Sequence, residues 1–185
     1  IFSEEVSTAL SCVSGAERHV SWQDMFFDQS TGTIEHQDSW YLDTDPAGGL
    51  IGVWYALEDI HPDSGPFFVI PGSHKWGLFD RSDYPKHDDF VEKVRTEIET
   101  HATTKKPTCL DAGDILLWHP YLVHGAFNCR DLSHSRKSFT SHFYPSNLKP
   151  KDTETDKLLS IYDHKTPKPT SNPNIDVAKR FPDPI

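Results

Sequence analysis

The chain has 185 residues, a formal net charge of -10 at pH 7 and three cysteines. That length allows one domain with a real core and is too short for two, and the acidic balance excludes a phosphate-backbone binder, so no nucleic acid partner is expected. Cys12, Cys109 and Cys129 are odd in number and show no CxxC spacing, which reads as reduced thiols in a cytoplasmic setting rather than a disulfide frame or a zinc site.

The opening stretch IFSEEVSTALSCVSGAERHV has neither a basic start nor a long apolar run. No signal peptide and no membrane partner are expected from it, although a chain beginning with Ile leaves room for an upstream segment. Next, IEHQDSWY (34–41) is rich in β-branched and aromatic residues and reads as a strand. GGLIGVWYALED (48–59) is bounded by Gly-Gly and by the turn signal HPDSG. PFFVIPGS (66–73) is a short apolar run closed by Pro-Gly.

HDDFVEKVRTEIETH (87–101) breaks this pattern. Phe90, Val91, Val94 and Ile98 fall at helical spacing, and Asp88 and Asp89 sit where the first turn would be. One amphipathic helix is therefore expected between strands. AGDILLWHP (112–120) is a turn feeding apolar residues, and RKSFTSHFY (136–144) alternates. From Pro145 to residue 185 the composition shifts to Lys, Asp, Thr, Asn and Pro. An irregular segment wrapping the body is expected there, with one short helical turn around ETDKLLSIY. Short strands separated by Gly, Pro and Asp turns suggest a single mainly β domain over 1–185, a sandwich or barrel.

The chemistry is carried by histidines and acids. On a strand, residues i and i+2 share a face, so His36 and Asp38 project together and Gln37 projects away. Two histidines and one carboxylate on one triangular face leave open positions on a divalent metal and suit non-haem Fe(II). A third ligand must come from a later strand. His119, before Pro120, and His124, before Gly125, are two of the best placed among His61, His74, His87, His101, His119, His124, His134, His142 and His164. Spacing alone does not choose between them.

The run HQDSWY, GVWYALEDIHPDSGPFFVIPGSHKWG, DYPK, AGDILLWHPYLVHG and RKSFTSHF resembles the phytanoyl-CoA dioxygenase family, in order from about Glu35 to Tyr144. The resemblance implies a double-stranded β-helix (a cupin-like jelly roll) with a few flanking helices. It implies Fe(II) held by His36, Asp38 and His124, with His119 left as a structural neighbour. It implies 2-oxoglutarate clamped by Arg136, with Ser138 adding a hydroxyl and Trp54 lining the co-substrate pocket. A guanidinium suits that task because its planar fork matches a carboxylate; Arg130, the rival, falls in a loop. The retained Asp38 favours hydroxylation, since halogenating relatives replace that carboxylate with a small residue.

The activity so implied is Fe(II)- and 2-oxoglutarate-dependent hydroxylation of an aliphatic C–H of a small metabolite, consuming O2 and releasing succinate and CO2. The alternatives are an acyl-CoA 2-hydroxylase of the phytanoyl-CoA type and a non-catalytic jelly-roll module that binds metal or a small molecule. Gln37 and Trp40 flank the ligands and are candidates to face the substrate. His74 reads as a turn cap, and Tyr41, Tyr55 and Phe127 as core aromatics. The sequence carries no signal for an oligomeric state.

Overall fold

A computed structural model describes residues 3–151, 160–163 and 166–170. The chain opens with α1 (Glu4–Ser14), capped by the Ser3 hydroxyl, which accepts from the Val6 N–H, and closed by Gly15 in the left-handed region. Among the described residues twelve strands follow: β1 (Arg18–Phe27), β2 (Thr31–His36), β3 (Thr44–Asp45), β4 (Ile51–Ala56), β5 (Phe67–Val69), β6 (Lys106–Pro107), β7 (Ile115–Trp118), β8 (His124–Asn128), β9 (Ser138–Pro145), β10 (Lys149–Pro150), β11 (Ser160–Asp163) and β12 (Thr166–Thr170). The second helix, α2 (His87–Thr100), lies between β5 and β6.

The strands form a six-stranded sheet in the order β12-β11-β1-β9-β4-β7 and a four-stranded sheet in the order β2-β8-β5-β6, with β10 and β3 paired separately. The pairings are antiparallel. Alternation divides the large sheet cleanly. Ile51, Val53, Tyr55, Phe139 and Phe143 face outward and are covered by Val6 and Leu10 of α1. Trp54, Ala56 and Trp118 face inward and meet Phe67 of the small sheet; the Trp54 and Phe67 rings stack with centroids 5.6 Å apart. Because β4 is covered on both sides, it reads as a continuous apolar run rather than an alternating one.

Gly52, inside β4, is required by packing: a Cβ there would lie 2.0 Å from the Trp118 indole. The expected helix is present as α2, with Phe90, Val91 and Val94 buried against Trp40, Ile70, Phe79 and Val123. Two of the longer elements, α1 and β1, escaped the sequence reading. In α1, a short Ser-rich segment, the visible signs are only the Ser3 cap, acidic Glu4 and Glu5, and Gly15. Strand β1 carries Gln23 and Asp24 and a bulge between Ser21 and Gln23 that breaks its alternation.

The C-terminal segment is more regular than its composition suggests. β10 pairs with β3, and β11 and β12 extend the large sheet beyond β1. Of the helical turn expected around ETDKLLSIY, residues 160–162 belong instead to β11, and 154–159 lie outside the described residues. Among the described residues no helix is long and apolar enough to cross a membrane.

Candidate metal and 2-oxoglutarate site

His36 and Asp38 do not both lie on a strand. β2 ends at His36, and Asp38 opens a 3-10 turn through Trp40, its carbonyl accepting from the Tyr41 and Leu42 N–H groups. Gln37 between them keeps an extended backbone (φ -102, ψ 134), so the two side chains still project together. The third member arrives by cross-strand pairing: His124 opens β8 directly opposite His36. Gly125, next along β8, permits the close approach, since a Cβ there would meet the Thr33 carbonyl at 2.5 Å.

His36 and His124 are fixed by the same device. Each Nδ1 lies 2.8 Å from the carbonyl two residues earlier, Ile34 and Leu122 respectively. A carbonyl only accepts, so the proton sits on Nδ1 and the Nε2 lone pair is free to ligate. Both Nε2 atoms stand 3.4 Å from Asp38 Oδ1. Ligand atoms from the three residues lie within 4.8 Å of one another. His124 is buried against the Phe67 ring, stacked at 5.2 Å, and against Trp118 at 5.1 Å.

The electrostatics keep Asp38 ionised. Burial works to raise its carboxyl, but attraction to His124 and His142 outweighs this and holds it well below the usual carboxylate range. Burial also works against protonation of His36, yet the Asp38 carboxylate prevails and raises its pKa; for His124 burial prevails and lowers it. An anionic oxygen between two correctly turned imidazoles is the donor set of a two-histidine, one-carboxylate metal site.

The triad opens on a cavity of about 390 Å³ that also contains Trp54, Arg136, Thr140 and His142. Arg136 is buried, with its guanidinium 5.2 Å from the Phe27 ring and 5.9 Å from that of Trp54. Its Nε has no hydrogen-bond partner and, among the described residues, no carboxylate pairs with it. Burial lowers its pKa to about 10. The rival Arg130 is largely exposed and tied to Asp63. Ser138 shares the inward side of β9 with Thr140 and His142; its Oγ is buried without a partner, but it does not line the cavity.

Gln37 and Trp40 are not brought to this cavity. The Gln37 side chain is fully buried on the other side of the chain, donating to the Gly77 and Tyr121 carbonyls, both at 2.9 Å, and accepting from the Phe79 N–H at 3.0 Å. We expect Gln37→Leu to destabilise the protein by about 2–4 kcal/mol, through the partners left unpaired, with metal affinity retained in the folded fraction. Thermal unfolding beside metal titration checks this; loss of affinity without loss of stability would return Gln37 to the site.

Trp40 stacks on Phe90 of α2 at 4.9 Å and faces a neighbouring groove with Trp22, Asp43 and Arg81. Tyr41, expected in the core, is 40% exposed and borders both spaces. His119 stands apart from the triad, its Nδ1 accepting from the Tyr121 N–H at 3.1 Å. His142, one of the candidate histidines to which the sequence assigned no role, is buried 3.3 Å from Asp38 Oδ2. The one available signal was its parity with Arg136 along RKSFTSH.

Fold and site together define a jelly roll of the class that holds a divalent metal on two histidines and a carboxylate. The chain belongs to the phytanoyl-CoA dioxygenase (PhyH) family, whose model matches residues 1–138 and so begins upstream of HQDSWY. It is 33% identical over 110 residues to human peroxisomal phytanoyl-CoA dioxygenase, a match covering 58% of this chain and 32% of that protein. Phytanoyl-CoA dioxygenase 1 of rice is 35% identical over 103 residues, covering 51% and 32%. The chain thus spans about a third of the length of these curated relatives.

Among solved structures, its fold matches the epimerase SnoN in complex with Fe3+, alpha ketoglutarate and nogalamycin RO. The TM-score is 0.61 at 18% identity, covering 80% of this chain and 57% of that one.

Proposed function

We propose that this chain carries out Fe(II)- and 2-oxoglutarate-dependent hydroxylation of an aliphatic C–H in a small molecule. The observation that carries the reading is Arg136: a buried guanidinium without an acid partner among the described residues, in the same cavity as three converging metal ligands. A buried charge is costly until paired, and a dicarboxylate bound between Arg136 and the triad would pair it.

His36, Asp38 and His124 would hold the iron from one side. Iron(II), when bound, supplies the dioxygen chemistry by which 2-oxoglutarate is converted to succinate and CO2 while one oxygen atom enters the substrate. Arg136 binds and orients the far carboxylate of the co-substrate through paired N–H donors. Trp54 and Phe27 flank the guanidinium and limit its freedom. Phe67 and Trp118 exclude water from the His124 side.

A small polar or amphiphilic substrate is favoured over an acyl-CoA. A CoA nucleotide needs free basic groups, and two of those on offer are engaged: Lys105 by Glu35 and Lys151 by Asp80. The acyl-CoA reading draws its support from the names of the relatives. The free thiols Cys12, Cys109 and Cys129 support a reducing compartment, cytoplasmic or, as in the name of the human relative, peroxisomal.

The test is anaerobic mixing with Fe(II) and 2-oxoglutarate, followed by oxygen. A weak visible charge-transfer band and then succinate formation are expected. Absence of both would overturn the enzyme reading, and a band without succinate would favour the non-catalytic module. A screen of small polar metabolites against acyl-CoA thioesters, read by a product heavier by one oxygen, decides the substrate class.

A further inference from the structure

Asp38 presents its two oxygens to different neighbours. Oδ1 faces the two ligating imidazoles, with both Nε2 atoms at 3.4 Å. Oδ2 faces the other way. It accepts from the Trp118 indole N–H at 2.7 Å, and His142 Nε2 stands 3.3 Å from it. His142 is 3% exposed, and among the described residues neither ring nitrogen forms a hydrogen bond. An imidazole buried in that condition is costly compared with an apolar side chain of similar size, so packing does not account for it.

We infer that His142 is a positioning residue for Asp38, its imidazole, with Nε2 3.3 Å from Oδ2, acting beside the Trp118 indole N–H to hold Oδ2 away from the metal so that the carboxylate ligates through Oδ1 alone. The inference rests on the metal reading above. Its chemical sense lies in coordination number. A carboxylate that swings to bind through both oxygens takes one of the positions that a chelating co-substrate and dioxygen need. The Trp118 hydrogen bond and the His142 imidazole packed beside Oδ2 oppose that swing, and groups that orient a ligating carboxylate tune the site as strongly as some ligands do.

The fold delivers both groups from neighbouring inward positions. Trp118 on β7 and His142 on β9 both pair with Gly52 of β4, on either side of it. Their rings approach at 5.9 Å, edge to face. The absent side chain at Gly52 is what lets the indole lie there.

The experiment uses the 185-residue chain with Co(II) as the probe, in wild type, His142→Leu and His142→Gln. Leu removes the imidazole and its N–H groups. Gln offers an amide N–H near the position of Nε2. Three quantities are read: cobalt affinity, the visible d–d bands of the bound ion, and the melting temperature of each metal-free protein. His142→Leu is expected to bind cobalt roughly 10–100-fold more weakly, with altered bands. His142→Gln is expected to keep the wild-type bands and most of the affinity.

If His142→Leu matches wild type in affinity and bands, or if Gln fails as Leu does while both metal-free variants melt like wild type, the positioning role is overturned. A wild type that takes up no cobalt overturns the metal reading and this inference with it. A wild type that binds beside indifferent variants overturns this inference alone.

Discussion

Arg136→Met is expected to make the metal-free protein more stable and to abolish its use of 2-oxoglutarate. The guanidinium is buried without an acid partner among the described residues, and burial has pulled its pKa down to about 10. The sign follows from linkage. A base whose folded pKa lies below its unfolded one makes the folded state less stable as pH falls through that interval, and the whole cost is present at every pH below about 10. Met keeps much of the apolar stem and removes the charge, so a gain on the order of 1–3 kcal/mol is expected, the same throughout the neutral range.

The same substitution leaves the far carboxylate of 2-oxoglutarate without its fork of donors. Affinity should fall roughly 30-fold or more, on the scale of about 2–5 kcal/mol for breaking a buried charge pair. Thermal melts and calorimetric titration of 2-oxoglutarate into Fe(II)-loaded, oxygen-free protein read the two effects separately. A variant that is less stable and still binds 2-oxoglutarate normally would make Arg136 a structural residue. Arg130→Met, in an exposed pair with Asp63, serves as the control and should move neither quantity appreciably.

His124→Ala and Asp38→Ala are expected to eliminate tight metal binding. Each removes one of the donor atoms that converge within 4.8 Å. The loss should exceed the roughly 100-fold that removal of a supporting partner costs. The two variants should differ in the metal-free state. Asp38→Ala deprives His36 and Trp118 of their carboxylate, whereas His124→Ala leaves the Asp38–Trp118 hydrogen bond in place and opens a hole beside Phe67. His119→Ala should leave metal affinity unchanged, since its ring is engaged with the Tyr121 N–H away from the triad. Metal titration of the three variants checks this. A His124→Ala protein that still binds iron tightly, with His119→Ala failing to do so, would move the third ligand to the other end of HPYLVH.

Local pattern carried much of this molecule. Turn residues bounding apolar runs marked β4, β5 and β7, alternation marked β9, and helical spacing marked α2, because those signals depend on neighbours in the chain. His36 and Asp38 were legible as a pair for the same reason: one extended residue separates them. The motifs from HQDSWY to RKSFTSHF were enough to point to the phytanoyl-CoA dioxygenase family, and with it to a jelly roll.

What lay in pairing between distant segments was not legible. Whether His119 or His124 meets His36 depends on the register of β2 against β8, which no spacing within one segment fixes. β1 was hidden because its polar residues and bulge obscure its alternation, and the strands that flank it come from the other end of the chain. Gln37 and Trp40 looked like substrate contacts because they adjoin ligands. The turn after Asp38 and the packing of α2 direct them into the body instead. His142 acquired meaning only when β9 was laid beside β4 and its imidazole arrived behind Asp38. The sequence by itself thus determined which donors this protein possesses, since side-chain chemistry is local. The tertiary structure decided which of them meet, since hydrogen-bonded register between remote strands sets which faces converge.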